Sequence, residues 1–142
     1  VAVALREAQR PAFKKYATQV VKNARALSES LEKYGWRIVS GGTETHLILM
    51  DAAQKGIGGK EASDELEKNG IIVNKNTIPY DPRTPVNPSG IRLGTAALTT
   101  RGMKEKEMQF VAQLINTVLI DKKNVAREVK ALCKKFPLWY KS

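Results

Sequence analysis

The sequence predicts an α+β domain: a short, mainly antiparallel sheet flanked by helices and preceded by a long helix. Helical periodicity dominates both ends of the chain, whereas the middle holds short β-branched and apolar runs set between glycines and prolines. The 142 residues suffice for one domain with a real core and are too few for two ordinary ones.

The first residues, Val1-Ala2-Val3-Ala4-Leu5, carry neither an initiator Met nor an N-cap signal. The expectation is therefore a chain that opens inside a helix and is part of something longer. Pro11 suits the first turn of a new helix, or a kink after residues 2–9. Over residues 12–34, Phe13, Tyr16, Ala17, Val20, Ala24, Leu27 and Leu31 recur at helical spacing, with Lys14, Lys15, Lys22, Arg25, Glu29 and Glu32 elsewhere. Gly35 ends that helix as a C′ residue does.

Trp36-Arg37-Ile38-Val39 and Thr45 to Asp51 read as strands, and Ser40-Gly41-Gly42-Thr43 between them suggests an antiparallel pair. Residues 59–69 make a short helix through Ala62 and Leu66, closed by Asn69-Gly70. Residues 71–74 and 90–93 supply two more strands around a proline-rich loop. Two amphipathic helices follow at 103–120 and 122–136, the first with Met108, Val111, Ile115, Val118 and Leu119 on its apolar face.

Composition excludes several functions. A hydrophobic share of 42% with 27% charged residues is that of a globular protein, and no apolar run approaches the roughly 20 residues that cross a bilayer. No secretory signal is visible, and the single Cys133 cannot form an internal disulfide, so a reducing, cytoplasmic setting is expected. Cys133 shares a helical pattern with Val129, Leu132 and Phe136 and reads as a buried, inert thiol. The net charge of +10 raises the question of nucleic acid. Its excess sits on the flanking helices, however: residues 35–102 hold eight basic against seven acidic groups. Lys123, Arg127, Lys130 and Lys134 form a basic stripe without an aromatic stacking platform, which reads as a solvated helix face. Neither a nucleic-acid nor a membrane partner is expected.

The chemistry concentrates in residues 71–102. A short strand leads into a loop holding Pro79, Pro82, Pro85 and Pro88, and a second strand then carries Arg92 between Ile91 and Leu93. Binding groups collect on loops held by rigid elements. A guanidinium is costly to bury without an anion, and its planar fork suits a carboxylate. The competing reading is an internal salt bridge with Asp51 or Asp81. Gly90, Gly94 and Thr95 around Arg92 favour close approach of a ligand. Asn76 offers a donor and an acceptor to a heterocycle, or serves as a turn asparagine. Lys75 lies between two asparagines with no sign of desolvation and is not a reactive amine. His46, the only histidine, has no ligand spacing with Glu44 or Asp51, and reads as a hydrogen-bonded strand-end residue. Gly56-Ile57-Gly58-Gly59-Lys60 lacks P-loop spacing and reads as a turn and helix entry.

Four stretches together resemble the C-terminal part of serine hydroxymethyltransferase. They are Ser40-Gly41-Gly42-Thr43-x-x-His46-Leu47; Val73-Asn74-Lys75-Asn76-Thr77-Ile78-Pro79; Asp81-Pro82-Arg83-x-Pro85; and Ser89 through Thr95 continuing to Leu98-Thr99-Thr100-Arg101-Gly102. They occur in the family's order and spacing, and the likeness covers essentially the whole chain. The resemblance implies the small C-terminal domain of a fold-type I pyridoxal-phosphate enzyme. Residues 1–34 would be the helix leading from a large domain, and 35–142 the small domain. The activity implied is reversible conversion of serine and tetrahydrofolate to glycine and 5,10-methylenetetrahydrofolate, by a cytoplasmic homodimer. The position matching Arg92 holds the substrate carboxylate. The position matching Asn76 and the loop Thr84-Pro85-Val86 contact folate.

The chain departs from the family at Val86, where an aromatic is usual, and at Pro88, Glu44-Thr45 and Ala96. The lysine that carries pyridoxal phosphate, and the groups that hold its phosphate and ring nitrogen, lie upstream in the family. No catalytic, cofactor-binding or metal-binding residue is therefore expected within these residues, and the piece alone is expected to be inactive. The competing classes are a stand-alone carboxylate or amino-acid-binding module and a basic nucleic-acid-binding domain.

Overall fold

The computed structural model describes residues 1–138; residues 139–142 of the expected 35–142 segment lie outside the described ones. Helix α1 (Ala2–Ala8) buries none of its residues and gives way at Gln9-Arg10 to helix α2 (Pro11–Lys33). Pro11 at the first turn forfeits an N–H that a helix start leaves unpaired in any case. Gly35, at φ 76°, ends α2 in the left-handed conformation that costs glycine little.

Strand β1 (Arg37–Ile38) pairs antiparallel with β2 (Leu47–Asp51), as expected from the glycine turn. The intervening segment is a 3₁₀ turn over Val39–Gly41, so β1 is shorter than its apolar run. Helix α3 (Gly59–Lys68) follows, then β3 (Asn74–Asn76), β4 (Gly90–Gly94) and the short helix α4 (Ala96–Thr100). Helices α5 (Glu105–Leu119) and α6 (Ala126–Lys135) complete the described chain. The four strands form one antiparallel sheet in the order β1-β2-β4-β3.

Three expectations shift for local reasons. The strand predicted at 71–74 pairs at 74–76 instead. The Ile71 N–H is taken by the Leu66 carbonyl at the end of α3 (2.9 Å), and Ile71 and Val73 pack against the core. Helix α4 falls in a stretch with no helical periodicity. It is held by α2: the Asn23 amide donates to Thr99 Oγ1 (2.8 Å) and to the Met103 carbonyl (2.9 Å), and Thr95 Oγ1 donates to the Val20 carbonyl (2.9 Å). Helix α6 starts at 126 rather than 122, because the Val125 N–H is captured by Asn69 Oδ1 (2.7 Å).

Alternation along the strands decides the layers. Ile48, Met50, Ile91 and Leu93 are buried, and they share one core with Ala24, Leu27 and Leu31 of α2, Leu66 of α3 and Met108, Ile115 and Leu119 of α5. Leu47, Leu49 and Arg92 fall on the other face, which no helix of the described residues covers; Leu47 and Arg92 are exposed there. The basic side chains Lys123, Arg127, Lys130 and Lys134 are exposed, as a solvated face requires. Among the described residues, no helix is long and apolar enough to cross a membrane.

Candidate functional site

Arg92 is not buried in an apolar strand, as its neighbours Ile91 and Leu93 suggest; the pleat sends it to the open face. Across the sheet it stands between Leu49 of β2 and Asn74 of β3. Two register positions on, and so on the same face, Asn76 pairs with Gly90, and the missing side chain at Gly90 is required there. A Cβ would lie 2.7 Å from Ile78 Cγ2 and 2.9 Å from the Asn76 carbonyl. Arg92 and Asn76 thus line one concavity of about 380 Å³, with Pro79 and the turn residues Ser40 and Gly42 on its walls. Ser40 and Gly42 have positive φ, so the turn bends sharply beside the strand ends.

The internal salt bridge weighed for Arg92 does not form. Asp51 is engaged by Arg37, Nη1 to Oδ2 at 2.7 Å, and accepts the Gln54 N–H (3.1 Å) on its other oxygen. Asp81 is consumed by its own loop. Its Oδ2 accepts the N–H groups of Ile78 (3.2 Å) and Ser89 (2.9 Å), and its Oδ1 accepts the Arg83 N–H (2.9 Å) and the Ser89 hydroxyl (2.6 Å). Partial desolvation pushes the Asp81 carboxyl up, but these hydrogen bonds, led by Ser89, outweigh it and hold the group well below the ordinary carboxylate value. Among the described residues, Arg92 is left with no carboxylate partner, so its guanidinium is available to an external anion.

Asn76 is partly buried and donates from Nδ2 to the Thr77 carbonyl (2.8 Å), which orients the amide. Thr84, Pro85 and Val86 are exposed on the far limb of the loop and do not line the concavity. They are tied to β3 through Lys75, whose Nζ donates to the Val86 carbonyl (2.9 Å); this engages the amine that the sequence set aside. The loop also rests on the start of α3, where the Gly59 N–H donates to the Pro88 carbonyl (2.7 Å) and the Lys60 N–H to Asn87 Oδ1 (3.3 Å). Gly56–Lys60 is thus a turn and helix entry, and Gly58 and Gly59 within it make room for the loop.

Two readings of single residues are corrected. His46 is exposed and its ring makes no hydrogen bond among the described residues; only its carbonyl is used, accepting the Thr95 N–H (3.2 Å). Cys133 is partly rather than fully buried, because α6 has no fully buried residue. Among the described residues, no group of acidic, His or Cys side chains is placed to hold a metal ion. Sequence reasoning missed Pro79 and the Ser40–Gly42 turn as walls, and Asp81 as the organiser of the loop. The Asp-Pro dipeptide was the available signal for the latter, since Asp before a turn accepts backbone N–H groups.

Fold and site together define an α+β domain with helices on one sheet face and, on the other, an arginine that has no carboxylate partner among the described residues. The chain belongs to the serine hydroxymethyltransferase family, whose model matches residues 1–115. It is similar to the serine hydroxymethyltransferase of Acidobacterium capsulatum, with 54% identity over 144 aligned residues covering 97% of this chain and 34% of that protein. The chain therefore spans about a third of the length of that curated relative.

Proposed function

We propose that this chain is the small-domain portion of an enzyme that converts serine and tetrahydrofolate reversibly to glycine and 5,10-methylenetetrahydrofolate. The observation that carries the proposal is the guanidinium of Arg92, without a carboxylate partner among the described residues and presented in a concavity with both candidate acids engaged elsewhere. Two parallel N–H donors of Arg92 would hold the α-carboxylate of the amino acid, fixing the direction of the bond to be broken as well as the position of the substrate. Asn76, its Nδ2 already engaged, presents Oδ1 as an acceptor for a ring N–H of the folate. Thr84, Pro85 and Val86 would form a further wall for the folate.

No lysine lines the concavity among the described residues, so the groups present fit the substrate rather than the cofactor. Pyridoxal phosphate, when bound by the remainder of the protein, supplies the electron sink for bond cleavage at the α-carbon. The residues of this chain bind and orient. A cytoplasmic homodimer is part of the same proposal.

In the natural full-length protein, Arg92→Ala should weaken serine binding by about 30-fold or more while tetrahydrofolate still binds, and Asn76→Ala should weaken tetrahydrofolate while serine still binds. Unchanged serine affinity in Arg92→Ala would overturn the assignment.

A further inference from the structure

A second cavity, of about 290 Å³, lies under α6 on the helical side of the domain, away from Arg92. Its walls are apolar, with Val73, Leu98, Leu114, Val129 and Leu132 among them, and one charged side chain, Arg101, reaches the lining. Arg101 donates from Nη2 to the Cys133 carbonyl of α6 (3.0 Å), but its Nε is buried and has no hydrogen-bond partner among the described residues. A buried N–H of a cation without an acceptor is costly, and an anionic acceptor removes that cost. The helix that closes the cavity lies beyond residue 115, where the match to the family model ends, and it contributes Val129, Leu132 and Cys133 to the lining.

We propose that this cavity binds a small amphiphilic monocarboxylate, its carboxylate accepting from Arg101 and its apolar body lying under α6. One guanidinium matches one carboxylate charge, whereas a phosphate dianion would want more donors than the walls provide. An apolar cavity of about 150 Å³ takes a benzene-sized guest. The present one therefore has room for an aliphatic chain of roughly eight carbons. A ligand here would bridge α4 and α6 against the inner side of β4, where Leu93 lines the cavity, and would leave the open sheet face that carries Arg92 untouched.

Octanoate and neutral 1-octanol, titrated calorimetrically into the natural full-length protein, test this. Octanoate should bind once per chain, and octanol about tenfold or more weaker, since one charge-assisted hydrogen bond is at stake. Arg101→Met should remove the preference for octanoate. If that variant does not fold, Leu132→Trp, which fills the cavity and leaves Arg101 in place, should block binding. In the unaltered protein, octanoate should slow alkylation of Cys133, read at its own peptide by mass spectrometry. Absence of octanoate binding, equal affinity for octanol, or binding that survives Leu132→Trp with Cys133 unprotected would each overturn the proposal.

Discussion

Asp81 holds Ser89 with both of its carboxylate oxygens, accepting the backbone N–H at 2.9 Å and the hydroxyl at 2.6 Å. The proline-rich residues 82–88 are closed into a fixed loop by that grip. The loop in turn delivers the chain into β4 with Arg92 on the open face.

Asp81→Ala should therefore lower the melting temperature at neutral pH and speed amide exchange across residues 77–89. The carboxyl titrates lower in the folded protein than its ordinary value of 3.8. Its contribution is thus complete above that value and is lost as pH falls toward the depressed folded one. The gap in melting temperature between the two proteins should close on acidification below 3.8; a gap that widens there would contradict the role given to Asp81.

At Gly59, two opposing effects can be weighed. Alanine is favoured over glycine within a helix by about 1 kcal/mol. A Cβ at Gly59, however, would press on the Gly90 carbonyl and stand 2.8 Å from the Pro88 carbonyl, both backbone atoms that cannot swing aside. Overpacking of this kind costs about 1–3 kcal/mol, so Gly59→Ala should destabilise by denaturant titration. Equal or greater stability would show that the loop does not rest on α3.

Asn23 is fully buried, and its amide reaches both Thr99 and the Met103 carbonyl. Asn23→Leu keeps the branched shape in a somewhat bulkier side chain and strands that carbonyl without a donor. A loss of about 1–3 kcal/mol is expected, with exchange rising first in α4. Protection in α4 equal to that of the unaltered protein would mean that the helix stands without this bond.

For Arg92→Ala, the folded state should be nearly unaffected, because the side chain is exposed and has no ion-pair partner among the described residues. Serine affinity in the natural full-length protein should fall by about 30-fold or more, the equivalent of losing about 2–5 kcal/mol at a bidentate charged contact. A large loss of stability with unchanged affinity would reverse the assignment.

Val86 is 70% exposed at the position where the family usually carries an aromatic. Val86→Phe should tighten tetrahydrofolate binding by roughly 2- to 10-fold, the range of one aromatic contact at about 0.5–1.5 kcal/mol. No change would remove this limb of the loop from the folate wall.

Much of this protein was legible in its sequence, because local rules are local. Heptad-like spacing from Phe13 to Leu31 marked α2, Gly35 marked its end, and the run from Ser89 to Thr95 pointed to β4 and its arginine. The family, too, could be read from the order and spacing of four motifs. What the chain alone left open was which acid, if any, Arg92 meets, and that depends on long-range geometry. Arg37 reaches Asp51 only because β1 pairs with β2, and Asp81 reaches Ser89 only because the loop closes. Helix α4 escaped detection for the same reason, since five residues rich in Thr have too little propensity to form a helix without Asn23 from α2. Periodicity and motif spacing determined the elements and the family. Tertiary pairing decided that Arg92 meets neither Asp51 nor Asp81, because only the folded sheet shows which charges have already been spent on other groups.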